Sequence, residues 1–196
     1  MTDFVTAVEQ EPLPVAAAVR AVARCAATTG ALLARNRVHL PRAHVGMRLR
    51  FGDGTSARVY RETVLDRPAP RDPSVLVVRF RLRGVHGSLG HAAFRAESLL
   101  NTPLFVGFPG YVSKLWLAHD ERGAYRGLYE WDDPVLAEAY ARALWRVLAL
   151  VSAPATIHYR VLPGQRRDAL LRDRSAAPRA VRDEGAAHWW QLVAVA

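Results

Sequence analysis

The chain has 196 residues, 51% hydrophobic and 23% charged, a balance that excludes disordered and fibrous classes and fits one globular domain with appendages. A net charge of +9 raises the question of nucleic acid. No helix-turn-helix, zinc-finger or RNP-type motif accompanies it, and the arginines are scattered over several elements, so the charge reads as solvated surface.

No apolar run approaches the roughly 20 residues that span a bilayer. The acidic start MTDFVTAVEQEPLP lacks the basic and apolar regions of a signal peptide. A single Cys25 excludes an internal disulfide framework. These features lead us to expect a cytoplasmic protein with no membrane or nucleic-acid partner.

Residues 1–13 read as disordered. Val15 to Arg37 predicts a helix: Val15, Val19, Val22, Ala26, Leu32 and Leu33 keep helical spacing, and Thr28-Thr29-Gly30 marks a weak point. A hairpin follows, in which Val45, Met47, Leu49 and Phe51 alternate with Arg48 and Arg50. Gly52-Asp53-Gly54 turns the chain and Ala57 to Tyr60 returns it. The proline-rich stretch Asp66 to Pro73 is a linker.

Six elements come next. Ser74 to Arg83 alternates as a strand, with Leu76, Val78, Phe80 and Leu82 on one face and Val75, Val77, Arg79 and Arg81 on the other. Ser88 to Leu100 is a helix ended by Asn101-Thr102-Pro103. Tyr111 to His119 and Ala124 to Trp131 are two strands around the turn Asp120-Glu121-Arg122-Gly123.

Asp132 or Asp133 caps a helix with Pro134 in its first turn, running to about Val151. Its apolar stripe is Val135, Leu136, Ala139, Tyr140, Ala143, Leu144, Val147 and Leu148. Ala155 to Leu162 is the last strand of this set. In the tail, Asp168 to Asp173 suggests a short helix, and His188 to Val193 is apolar enough to dock as a strand.

The order β-α-β-β-α-β is the ferredoxin-like arrangement, an α+β fold with both helices on one face of a four-stranded antiparallel sheet. The other face has nothing left in the chain to cover it, which points to a homodimer. The organisation expected is an N-terminal extension over residues 1–73, a ferredoxin-like core over 74–164, and a C-terminal arm over 165–196 that docks on the core or on a partner subunit.

No phosphate-binding glycine loop of known spacing, nucleophile elbow or HExxH motif is present. Gly84 to Gly90 is glycine-rich before a helix and reads as a strand-to-helix turn. The histidine spacings suggest no metal site.

The candidate site is the hairpin. Tyr111, Trp116, Tyr125, Tyr129 and Trp131 are either plain sheet packing or the wall of a partly wet pocket for a flat aromatic molecule, since buried Tyr and Trp need partners for O–H and N–H. Lys114 is the sole lysine of the chain. It is either a snorkelling edge residue or a cation facing a phenolate or reduced oxygen. His158 is a packed or surface histidine or a general base. Asn101 is a helix cap or an orienting donor. Trp145 lies off its helix's main stripe, and either closes the pocket or meets the tail. Arg79 is a second candidate cation.

The elements from Ser74 to Pro163 resemble the dimeric α/β-barrel superfamily, which includes cofactor-independent anthrone and quinol monooxygenases and the YdhR-like monooxygenases. GYVSKLW, RGLYEW and DDPVLAEAYARAL resemble the YdhR-like pattern in particular. RFGDGTSARVYRET, SLLNTPLFVGFPGYVSKLWLAHD and LWRVLALVSAPATIHYRVLPGQRRD are similar to actinobacterial angucycline B-ring-opening oxygenases of aromatic polyketide biosynthesis.

The resemblance implies a dimeric barrel and a tailoring oxygenase for a polycyclic phenol, hydroquinone or anthrone. It would use O2 as co-substrate and no tightly bound cofactor. Electrons would come from the substrate or from reduced flavin (FMNH2 or FADH2) supplied by a flavin reductase. In this reading Lys114 or Arg79 stabilises negative charge, His158 is the base, and Tyr111, Tyr129 and Asn101 orient the substrate. The alternatives are an oxygen-independent polyketide cyclase or isomerase, and a binding protein for an aromatic metabolite.

Overall fold

A computed structural model describes residues 12–84, 102–172 and 188–196. Of the disorder expected over residues 1–13, residues 1–11 lie outside them, as do the helix expected over Ser88–Leu100 and Asn101; Leu13 is ordered, its amide donating to the Arg142 carbonyl at 3.3 Å. The described elements are α1 (Val15–Ala34), β1 (Val38–His39), β2 (Arg48–Phe51), β3 (Ser56–Leu65), β4 (Ser74–Arg81), β5 (Tyr111–Leu117), β6 (Ala124–Trp131), α2 (Pro134–Val151), β7 (His158–Pro163), α3 (Arg167–Arg172) and β8 (Leu192–Val195).

The fold is α+β, with a curled antiparallel sheet that forms a half-barrel. The strand order is β7-β4-β6-β5-β3-β2-β8, and β1 pairs with β3. The N-terminal hairpin therefore continues the central sheet through the pairing of β3 with β5, extending it past four strands.

Alternation sorts the side chains of each strand onto two faces. On the first face, Leu76, Val78, Tyr111, Trp116, Tyr129 and Trp131 pack against Phe105, Val106 and the Ala137, Tyr140, Ala141 and Leu144 stripe of α2. The side chain of Asp133 caps α2 by accepting from the Val135 and Leu136 amides at 2.6 and 3.2 Å. The buried stripe of α2 runs through Ala137, Tyr140, Ala141, Ala143 and Leu144, whereas Val135 is exposed: it sits in the first turn, beyond the sheet.

On the second face, Val75, Val77, Leu115, Leu117, Leu128 and Leu162 meet Leu49, Phe51, Ala57 and Val59 of the curled hairpin. Leu170 and Leu171 of α3, Leu192 of β8, Trp189 and Trp190 complete this second core. This corrects the expectation that nothing in the chain could cover that face. The strand expected in the tail forms, pairing with β2, and with it the ground for inferring a second copy from a bare sheet is removed.

The second core is clamped by Arg126, which is fully buried on β6. Its guanidinium donates to Asp120 at 2.5 Å, Asp53 at 2.7 Å and Thr55 Oγ1 at 2.9 Å, and to the Trp189 carbonyl at 3.2 Å. One cation thus ties the β5–β6 turn, the β2–β3 turn and the C-terminal arm to the centre of the sheet. Burial pushes the Asp53 carboxyl up, but bonds from Thr55 and the charges of Arg126 and Arg79 outweigh it and leave it below its ordinary value.

Helix α1 is continuous through Thr28-Thr29-Gly30. Its buried residues are Ala18, Cys25 and Thr29, while Val15, Val19 and Leu33 are exposed, so it docks through its small side chains and not through the branched stripe anticipated. The close approach explains this: a Cβ on Gly107 would stand 2.1 Å from the Cys25 carbonyl oxygen, so only glycine admits the helix there. By length and a mean hydropathy of 1.2, α1 is long and apolar enough to cross a membrane, which corrects the expectation that no such run exists. Here it lies against α2.

Replacing Arg126 with Met should strand two buried carboxylates. Breaking a buried pair from one side costs about 3–5 kcal/mol, and urea unfolding of the R126M protein should show a loss of that size. A stability within 1 kcal/mol of the parent, on the order of an exposed ion pair, would show that the clamp is dispensable.

Candidate functional site

The first face holds a cavity of about 120 Å³ between the sheet and α2. Its inner wall is Lys114 and Trp116 from β5, Tyr125, Gly127 and Tyr129 from β6, Phe105, and Tyr140 and Leu144 from α2. Partly exposed Tyr60, Phe80, Val147 and Leu148 form the rim with Val151. An enclosed space of about 150 Å³ holds one benzene ring, so this one is of the order of a single aromatic ring in size.

Parity places the lysine. Lys114 pairs with Tyr129 across β6 and with Thr63 across β3, in the interior of the sheet and not at its edge. It is 7% exposed. Its Nζ lies 3.2 Å from the ring centroid of Trp116, 4.5 Å from that of Phe105 and 4.6 Å from that of Tyr129.

Among the described residues no oxygen accepts from this amine and no carboxylate pairs with it. Desolvation therefore pushes its pKa well below the ordinary lysine value, and the Arg61 guanidinium pushes it the same way. Rings attract an ammonium by about 0.5–2 kcal/mol. Removing an unpaired charge from water costs several kcal/mol. The second effect wins, so the ammonium form is disfavoured relative to that of an exposed lysine.

The rings around it are held rigidly. Trp116 Nε1 donates to Thr63 Oγ1 at 3.0 Å, and the Tyr111 hydroxyl donates to the Thr63 carbonyl at 3.1 Å. The Tyr140 hydroxyl donates to that of Tyr129 at 3.3 Å. Burial raises the pKa of both tyrosines, so they stay protonated and keep their donors near neutral pH. Gly127 is required by this packing, because a Cβ there would stand 2.6 Å from the Tyr129 ring.

Of the residues singled out from the sequence, Lys114, Trp116, Tyr125 and Tyr129 meet at the cavity. Tyr111 and Trp131 do not line it. Both are fully buried beside Tyr140 and Phe105, as packing that supports the wall.

Arg79 and His158 are paired on β4 and β7 with side chains on the second face. There Arg79 lies 3.9 Å from Asp53, and the exposed His158 lies against Trp189. The sheet separates both from Lys114, which corrects the roles of second cation and base expected for them. Trp145 packs on Tyr159 and borders a different depression, with Ala153 and Pro154. Among the described residues no cluster of three metal-binding side chains occurs.

The sequence reading missed Phe105, Tyr140 and Arg61 as partners of the site. Tyr140 stood in the apolar stripe of its helix. Phe105 follows a proline in an irregular turn and has no periodic signal. Arg61 is brought to the cavity face by a bulge between Val59 and Arg61, where its Cζ lies 4.8 Å from the Trp116 centroid and its Nη2 donates to Thr102 Oγ1.

No known family, no curated protein and no solved structure matches the chain.

The lowered pKa of Lys114 has a signed consequence. The unfolded lysine ionises near about 10.4. Between that value and its lower folded one, the unfolded chain binds more protons, so stability rises with pH across the window. Below the window the cost of the buried amine is fully present. Lys114→Met should therefore be more stable than the parent at pH 7, by a margin that shrinks as pH approaches the unfolded value. Urea unfolding of both proteins from pH 6 to 10 should show the gap closing as pH rises; a gap independent of pH would contradict the assignment.

Proposed function

We propose that this chain is an oxygenase that tailors an aromatic polyketide, admitting one phenolic or anthrone-type ring of a polycycle beside Lys114. The observation that carries the reading is the amine of Lys114, which has no hydrogen-bond acceptor or carboxylate among the described residues, in a cage of Trp116, Phe105 and Tyr129 at the wall of a cavity the size of a single ring. The remaining rings of the substrate lie along Tyr60, Phe80, Val147, Leu148 and Val151 at the rim.

The order β7-β4-β6-β5 with α2 on one face is consistent with a ferredoxin-like core and supports the superfamily resemblance. In this reading β2, α3 and β8 take the place of a partner sheet on the second face.

A neutral lysine is a base matched to a phenol or an acidic ring C–H. Lys114 takes the proton, and the ammonium so formed faces the substrate anion in a space with little water, where their attraction is strong. The electron-rich anion then reacts with O2. For an anthrone, one oxygen atom replaces the two hydrogens of the ring methylene as a carbonyl, and the other leaves with them as water. The Tyr129 and Tyr140 hydroxyls orient oxygen atoms of the substrate.

The electrons are assigned to the substrate, with a reduced flavin supplied from outside as the alternative source.

Incubation of the protein with an anthrone or a reduced angucyclinone under ¹⁸O2 should give a product carrying one labelled oxygen. Lys114→Met should lower turnover by about 10²–10⁴-fold, the usual contribution of a general base. His158→Ala, altered on the opposite face of the sheet, should leave it within a few-fold. Label no greater than in a protein-free control rejects the oxygenase. Turnover that persists without O2 reassigns the same base to a cyclase or isomerase, and saturable binding without conversion leaves a carrier of an aromatic metabolite.

A further inference from the structure

We propose that Lys114 is also a carbonyl-reactive amine, and that the cavity captures an aromatic aldehyde or ketone reversibly as an imine on Lys114 Nζ. Three observations carry this. The amine is at the wall of a cavity that admits one ring, so a carbonyl on that ring reaches it. No acceptor among the described residues ties up its nitrogen, whose nearest neighbours are ring faces. A second cation, Arg61, stands over the same Trp116 ring and opposes protonation. Desolvation together with a neighbouring cation is how proteins keep a lysine nucleophilic near neutral pH.

The groups that face the amine leave it this character. Among the described residues they are Tyr60 and Arg61 from β3, Tyr125 and Tyr129 from β6, and Tyr140 from α2, and none of these is a carboxylate. The Arg126 side chain is on the second face, with Asp53 and Asp120.

The step balances without an oxidant or a reductant. Nζ adds to the carbonyl carbon and gives a carbinolamine. The carbonyl oxygen then leaves as water with both amine hydrogens, and a C=N bond remains. Protonated on nitrogen, this imine draws electrons from an adjoining C–H bond and so loosens that proton. The phenolic donor of Tyr129, kept protonated by burial and accepting from Tyr140, assists departure of the oxygen. The substrate class is an aromatic ring bearing an aldehyde or ketone.

The test uses the full chain in oxygen-free buffer at pH 7, so its outcome is separate from that of the oxygenase assay. The protein is treated with 4-hydroxybenzaldehyde and cyanoborohydride, which fixes an imine as a secondary amine, and is read by intact mass and peptide mapping. Lys114 is the sole lysine, so the only other primary amine is that of the N-terminus. The expected result is an adduct on the Lys114 peptide that forms at least about tenfold faster than in the same chain unfolded in guanidinium, since each unit of lowered pKa raises the neutral fraction tenfold. In Lys114→Met only the N-terminal adduct should remain. Labelling of folded protein confined to the N-terminus, or a Lys114 rate below that margin, overturns the proposal, and the mapping on the parent decides it even if the variant fails to fold.

Discussion

A sheet that is apolar on both faces has to be covered twice, and Arg126 makes the second covering hold. Its guanidinium is buried at the centre of β6 and reaches two carboxylates and a carbonyl contributed by three separate segments. Each of those segments is a turn or an arm with little regular structure of its own. Without a shared cation the two carboxylates would be costly to bury; with it their charges are neutralised where the apolar side chains of β2, α3 and β8 close over the sheet.

With the second face sealed, the first is free to be imperfect. Most of it is dry packing in which Trp131, Tyr111 and Tyr140 meet at centroid distances of 4.7–5.7 Å, and burial of each such ring contributes roughly 1.5–3 kcal/mol. Towards the rim the packing opens, and Lys114 stands where an apolar residue would serve stability better. A residue that costs stability and has no acceptor or carboxylate among the described residues is the kind of local inconsistency that marks a functional position. The rings around it leave a cavity of about 120 Å³ between the sheet and α2.

Much of the fold was legible because alternation is a strong signal. The faces assigned to Leu76, Val78 and Phe80 against Val75 and Val77 are those observed, and the turn at Asp120–Gly123 forms with the Asp120 side chain accepting from the Arg122 and Ala124 amides. Covering the second face was not legible, since it depends on a curl of the sheet and a strand from the far end of the chain. In the site, the aromatic hairpin and its lysine could be read as a group, because pairing brings them together whatever the rest does. His158 and Arg79 could not be excluded by spacing alone. Their displacement follows only from knowing which face each strand turns inward, and strand parity relative to Lys114 depends on the pairing register of separate strands.

The bulge in β3 has an evolutionary consequence. It puts two consecutive side chains, Tyr60 and Arg61, on the cavity side, and returns Glu62 to the opposite side, where Arg167 holds it at 2.9 Å. Loss of one residue there would turn the rest of the strand over, drive Glu62 into the aromatic cage and leave Arg167 with Asp168 alone. The wall of the cavity can thus diversify by exchange of side chains, but its spacing is frozen, because any change in length on one side of the sheet is felt as a buried charge on the other.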